Sequence, residues 1–243
     1  MGQLDGKVTI VTGGATGIGR GIARAFAREG ASLVVASRNV EKLEQAAGEL
    51  RQLGAPALAV ETDVTRESEV VALFERTLAE FARLDILVNN AGVMDGGPLE
   101  ELSLETWQKV VDVNLTGVFL CSREAMRTMK KQRQGRIINI GSVSAQMPRM
   151  NSVPYATTKH ALSGMTKALA LEGRDFGIAA SCLHPGNVES DLERAPGSFT
   201  QVEPMMTPDE LAVTAVAMAA LPPDVNMLEA IVLPVGMPYL GRG

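Results

Sequence analysis

Two cysteines, two histidines and 4% aromatics in 243 residues leave little material for several kinds of protein. Cys121 and Cys182 stand far apart in apolar segments, which suits reduced, buried thiols in a cytoplasmic protein better than a disulfide framework. His160 and His184 have no metal-ligand spacing, so both read as structural and no metal is indicated. Lys and Arg never gather into a run. With a formal charge of -5 and a pI near 5.2, the chain lacks the clustered cations that neutralise nucleic-acid phosphates. No apolar stretch approaches the ~20 residues that cross a bilayer, so no membrane partner is expected. The opening "MGQLDGKVTIVTGG" has no basic, apolar and cleavage-site order of a signal peptide, and Gly6 spoils the myristoylation pattern. Neither a repeat at solenoid periods nor a low-complexity tract is present.

What is there is a core. Hydrophobic residues make up 46% of the chain, ample for one soluble domain spanning 1–243. Short β-rich runs begin at 7 (KVTIV), 32 (SLVVA), 57 (ALAVE), 85 (DILVN), 136 (RIINI), 178 (IAASCLH) and 228 (LEAIVL), with helix-length segments between them. Strands that alternate with helices imply parallel pairing through crossovers, and near-continuous apolar runs suit strands buried on both faces. The expected fold is a single α/β, doubly wound (Rossmann) domain, its seven-stranded parallel sheet flanked by helices. One long irregular connection, 185–208, reads as a substrate loop.

The first strand runs directly into "TGGATGIGRGIA", which spaces Gly13, Gly17 and Gly19 as G-x-x-x-G-x-G before a helix. Glycines there let the backbone turn sharply and approach a ligand, and the helix N-terminus offers free N–H groups to a pyrophosphate. A second pattern lies in "PYATTKHALSGMTKALALEG", a helix expected from near Tyr155 to near Gly173 because a proline opens it. Residues i and i+4 share a helix face, so Tyr155 and Lys159 point into a common space. An ammonium ~4 Å from a phenolate stabilises it by ~4 kcal/mol at an effective dielectric of ~20, which makes a phenol a useful proton carrier. Taken alone, the pair also fits an ordinary buried tyrosine with a snorkelling lysine.

With the glycine loop ahead of it, the pattern resembles the short-chain dehydrogenase/reductase family in its compact form, over nearly the whole chain. The family's glycine pattern is matched by Thr12 to Gly19, with Thr16 and Ile18 inside it, and its Asn-Asn-Ala-Gly by Asn89 to Gly92, including Asn90 and Ala91. Its adenine-side Asp falls on Asp63, followed by Val64. Its catalytic Asn, Ser, Tyr and Lys fall on Asn114, Ser142, Tyr155 and Lys159, and its Pro-Gly turn on Pro185, Gly186 and Val188 beside the nicotinamide. The resemblance implies that Tyr155 exchanges a proton with the substrate oxygen while hydride moves to or from the nicotinamide. Lys159 would favour the ionised phenol and hold the nicotinamide ribose. Ser142 would bond the substrate oxygen, and Asn114 would anchor a water linking Lys159 to solvent.

The nicotinamide cofactor is chosen after the second strand, where an acid binds a ribose 2′-hydroxyl and a base accommodates a 2′-phosphate. Ser37 stands where an NAD-type member carries Asp, and Arg38 follows; a guanidinium fork there suits phosphate, so NADP(H) is expected. A solvated surface arginine is the competing reading. By family position the substrate wall includes Val93, Met94, Asp95, the stretch from Ser144 to Pro148, and Asn187 with Met205 and Met206. A compact apolar carbonyl compound ranks above a sugar as substrate. The ending "EAIVLPVGMPYLGRG" departs from the family's usual turn and is closer to relatives acting on small oxo acids or hydroxy acids.

The resulting expectation is a cytoplasmic, NADPH-dependent reductase of a ketone, aldehyde or oxo acid, reversible as an alcohol dehydrogenase. Two alternatives stay open: an NAD-dependent alcohol or hydroxysteroid dehydrogenase, and a dinucleotide-binding redox sensor. A homotetramer, as a dimer of dimers, is expected from small and apolar residues around the Tyr155 helix (Ala161, Gly164, Met165, Ala168, Leu171) paired with a helix near 104–131.

Overall fold

A computed structural model of the chain describes residues 2–189 and 203–238. The expected sheet forms from β1 (Val8–Thr12), β2 (Ser32–Ser37), β3 (Ala57–Glu61), β4 (Ile86–Asn89), β5 (Gly135–Ile140), β6 (Ile178–Pro185) and β7 (Glu229–Val232). Its order is β3-β2-β1-β4-β5-β6-β7, every pairing parallel. The helices between strands are α1 (Gly17–Arg28), α2 (Val40–Gln52), α3 (Glu67–Phe81), α4 (Leu104–Val111), α5 (Gly117–Gln132), α6 (Val153–Gly173) and α7 (Pro208–Ala220).

The continuous apolar runs of the strands follow from this layering. Successive strand residues point to opposite faces. Val11, Leu33 and Val35 therefore pack with Ile22 and Phe26 of α1, Leu43 and Leu50 of α2, and Leu211 of α7. Their neighbours Ile10, Val34 and Ala36 pack with Leu73 and Phe74 of α3 and Leu120, Ala125 and Met129 of α5. Each large side chain so buried contributes roughly 1.5–3 kcal/mol over leaving it exposed.

Two features place the site. The strand order reverses between β1 and β4, which opens a crevice beyond their C-terminal ends. The segment expected as one helix over 104–131 is also broken: Asp112–Thr116 form a five-residue π-helical turn between α4 and α5. The wider turn carries Asn114 inward, 1% exposed, against α6. A period-3.6 reading of sequence does not see such a turn, because it inserts extra backbone without breaking the apolar pattern.

The ends of the 185–208 connection are held together. Val188 bridges Met206, the Glu189 N–H donates to the Met206 carbonyl at 2.9 Å, and the Met206 N–H donates to the Asn187 carbonyl at 3.0 Å. Residues 190–202 of that loop, and 239–243 of the unusual C-terminal ending, lie outside the described residues.

Candidate active site

A cavity of about 230 Å3 opens at the crevice. Its floor is the turn from β1 into α1, where Gly13 and Gly17 take φ of 63° and 48°, values that favour glycine. Thr16 precedes α1 without capping it through its side chain, and the first turn holds no acidic residue. Gly13, Thr16, Gly17 and Ile18 thus present an uncapped helix N-terminus to the cavity, a cradle suited to a pyrophosphate.

Asn90 locks that turn in place. Its Nδ2 donates to the carbonyls of Thr12 and Gly13 at 3.0 and 3.1 Å, while the Thr12 hydroxyl accepts the N–H groups of Asn90 and Ala91 at 3.0 and 3.1 Å. Gly19 lies behind the cradle, where a Cβ would collide with the Gly13 carbonyl and Asn90 Nδ2. Its requirement is close packing.

Ser37, Arg38, Asp63 and Val64, expected on the cofactor side, lie outside the cavity at the C-terminal ends of β2 and β3. Ser37 ends β2, and Arg38 is exposed before Asn39, whose side chain caps α2 by accepting the Lys42 N–H at 2.9 Å. Arg38 makes no hydrogen bond or ion pair among the described residues. It does approach Asp63. Partial burial raises the Asp63 carboxyl, but hydrogen bonds from the Thr65 N–H and hydroxyl, with the charges of Arg38 and Arg66, outweigh it and hold the group below the usual carboxylate range. Val64 is buried next to it.

Ser142, Tyr155 and Lys159 converge on the cavity wall. Pro154 in the first turn of α6 starts that helix, which sets Tyr155 in the first turn and Lys159 one turn later. Lys159 Nζ lies 5.5 Å from the Tyr155 ring centre and donates to the Ile140 carbonyl at the end of β5 at 2.7 Å. Ser142, one residue past Gly141, accepts the Ser144 N–H on its hydroxyl at 3.1 Å, which leaves the hydroxyl proton free to donate.

Asn114 stands behind this wall. Its Oδ1 accepts the Val93 N–H at 2.8 Å, and its Nδ2 donates to the Val93 carbonyl at 2.9 Å and to Thr158 Oγ1 at 3.3 Å. The side-chain amide is therefore committed to Val93 and Thr158. His184, 1% exposed, lies behind Ser142 with Nδ1 3.0 Å from the Ser142 carbonyl; burial is the main cause that lowers its pKa. Burial likewise pushes the Cys121 and Cys182 thiols up, to about 12 and about 11, so neither offers a thiolate near neutrality.

Of the residues expected to face substrate, Val93, Met94, Asp95, Ser144 and Asn187 line the cavity, with Pro185, Gly186 and Val188 beside them. Of the stretch 144–148 only Ser144 lines the cavity; residues 145–148, with Met205 and Met206, are not part of the wall formed by the described residues. Met206 turns into the core, 7% exposed, through its bridge to Val188; in an extended segment its neighbour Met205 must then point away, and it is 42% exposed. Sequence reasoning missed Arg149, which also lines the cavity. A lone arginine in "MPRMNS" carries no local signal, and its partners lie far along the chain.

Among the described residues, no helix is long and apolar enough to cross a membrane. The profile of the short chain dehydrogenase family matches residues 7–199. The chain is 43% identical over 188 residues to the uncharacterized oxidoreductase YxjF of Bacillus subtilis (strain 168), spanning 77% of this chain and 73% of that protein. It is similar to the crystal structure of 3-ketoacyl-(acyl-carrier-protein) reductase from Brucella melitensis complexed with NADH, with TM-score 0.86, 33% identity and coverage of 94% of this chain and 97% of the other. An alcohol dehydrogenase from the archaeon Thermococcus sibiricus complexed with 5-hydroxy-NADP matches with TM-score 0.83 and 30% identity over 93% and 95% of the two chains. From the family match over residues 7–199 and the likeness to these solved structures, the chain belongs to the short chain dehydrogenase family of nicotinamide-dinucleotide-binding oxidoreductases.

Proposed function

We propose that the chain reduces the carbonyl of a ketone, aldehyde or oxo acid to an alcohol with NADPH, and runs reversibly as an alcohol dehydrogenase. The observation that carries this reading is the convergence of Ser142, Tyr155 and Lys159 on one cavity wall beside the uncapped start of α1. The glycine turn and α1 N-terminus would hold the pyrophosphate, Asp63 and Val64 the adenine side, and Pro185, Gly186 and Val188 the nicotinamide side. When bound, the nicotinamide supplies the hydride.

Each residue then has a task within reach of its position. Tyr155 donates the proton to the carbonyl oxygen, and the Ser142 hydroxyl bonds that oxygen as charge develops on it. Lys159 gives one of its N–H donors to the Ile140 carbonyl, and the others would be available to hold the ribose hydroxyls. Asn114 fixes Val93 and Thr158 on either side of the catalytic face. A relay water would be held by its main chain, because its side-chain amide is engaged.

Relatives of known structure carry either nicotinamide cofactor, so the choice of NADPH rests on this chain's own Ser37 and Arg38. A guanidinium with no hydrogen-bonded partner among the described residues, at the end of β2, suits a 2′-phosphate. The reading includes a cytoplasmic enzyme, in keeping with two buried, unpaired thiols, and a homotetramer. The test is a panel of ketones, aldehydes and oxo acids with NADPH and NADH, followed by the near-ultraviolet absorbance of the reduced nicotinamide. Oxidation of NADPH in preference to NADH is expected. A panel with no turnover would leave a dinucleotide sensor as the better account.

A further inference from the structure

Two charged side chains face the substrate part of the cavity, and both are answered from within the protein. Asp95 accepts from Lys109 at 2.9 Å, and that bond is the main cause holding its carboxyl below the usual range. Arg149 donates to the two oxygens of Glu203 at 3.2 and 2.5 Å and to Asn187 Oδ1 at 3.3 Å. Asn187 closes the triangle, since its Nδ2 donates to Glu203 Oε2 at 2.7 Å and to the Pro204 carbonyl at 3.3 Å. The three side chains come from three places: the turn after β5, the end of β6 and the approach to α7. Arg149 and Glu203 are only 19% and 14% exposed.

A half-buried guanidinium in a binding wall is a natural receptor for a planar carboxylate, which it holds with two parallel bonds. Here Glu203 already fills that fork. A substrate carboxylate entering here must compete with Glu203 for the guanidinium, which sets two carboxylates against one cation in a partly buried place. An uncharged carbonyl compound meets no such penalty.

We infer that Glu203 is a specificity-determining residue: it occupies the Arg149 fork with an internal carboxylate, so the site takes uncharged carbonyl compounds and refuses oxo acids of the same skeleton. The inference rests on the carbonyl-reductase reading and narrows its substrate class. It also makes a definite statement about Glu203→Gln: with the competing charge removed, Arg149 becomes an anchor for an anionic substrate.

Methyl acetoacetate and acetoacetate present the same ketone and differ in charge, so the ratio of their kcat/KM values with NADPH tests the idea. The wild-type protein should favour the ester by ~10-fold or more, and Glu203→Gln should move the ratio toward the acid by ~10- to 100-fold, as expected for charge-assisted bonds. Adding Arg149→Gln to Glu203→Gln should abolish that movement. Equal efficiency of acid and ester in the wild-type protein would overturn the inference without need of any variant. So would an unmoved ratio in Glu203→Gln, or a movement that persists without Arg149. Binding of butyrate against butyramide, measured by calorimetry, gives a readout free of turnover. Butyrate should gain affinity in Glu203→Gln and lose it in the double variant. If the carbonyl panel shows no turnover, the reductase reading fails, while this binding comparison still decides the role of Glu203.

Discussion

Arg38 leaves β2 between Ser37 and the Asn39 cap of α2, so its backbone is fixed by a strand end on one side and a helix start on the other. Its effect on cofactor choice should be confined to one phosphate. Removing a charge-assisted hydrogen bond to that group in Arg38→Ala should weaken NADPH binding by roughly 10- to 100-fold and leave NADH nearly unchanged. The check is kcat/KM for both cofactors at fixed ionic strength, because an exposed charge is screened by salt. Equal losses with both would show that Arg38 supports the turn and does not read the phosphate. That Tyr155 and Lys159 share one cavity wall was legible because a single helix turn separates them. The pairing of Arg149 with Glu203 was not, because it joins positions brought together only by β6 and the approach to α7. Nothing in either local stretch distinguishes that pair from two surface charges.

At the scale of elements, the turn from β1 into α1 works as a unit with Asn90. Gly19 belongs to it through space, since any Cβ there would strike the Gly13 carbonyl and the Asn90 amide. Gly19→Ala should therefore cost roughly 1–3 kcal/mol of stability, as overpacking does, and should weaken NADPH and NADH binding together. Denaturant unfolding beside cofactor titration measures both; native affinity in a native-stability variant would show that the turn tolerates a methyl group. The strands and α6 were readable to within a few residues because apolar runs and a proline mark them. The π-helical turn at Asp112–Thr116 was not, since the apolar pattern continues through it and only the inward setting of Asn114 shows the change of geometry.

For the whole molecule, the parallel sheet followed from strand runs alternating with helix-length segments, whereas assembly depends on surfaces that no single chain covers. Gly164, Ala168 and Leu171 of α6 lie exposed, Leu171 at 62%, and Phe119 of α5 is 48% exposed. These faces suit pairing with a two-fold-related copy, and light scattering at micromolar concentration should report a tetramer. A monomer would contradict that expectation. The central claim concerns the chemistry that this fold assembles, and Tyr155→Phe tests it most directly, because it removes one hydroxyl and leaves the ring, Lys159 and the glycine turn in place. Turnover of the best carbonyl substrate should fall at least ~10²-fold while NADPH binding, followed by calorimetry, stays close to wild type. A Tyr155→Phe enzyme that binds NADPH and turns over at near-native rate would contradict the account.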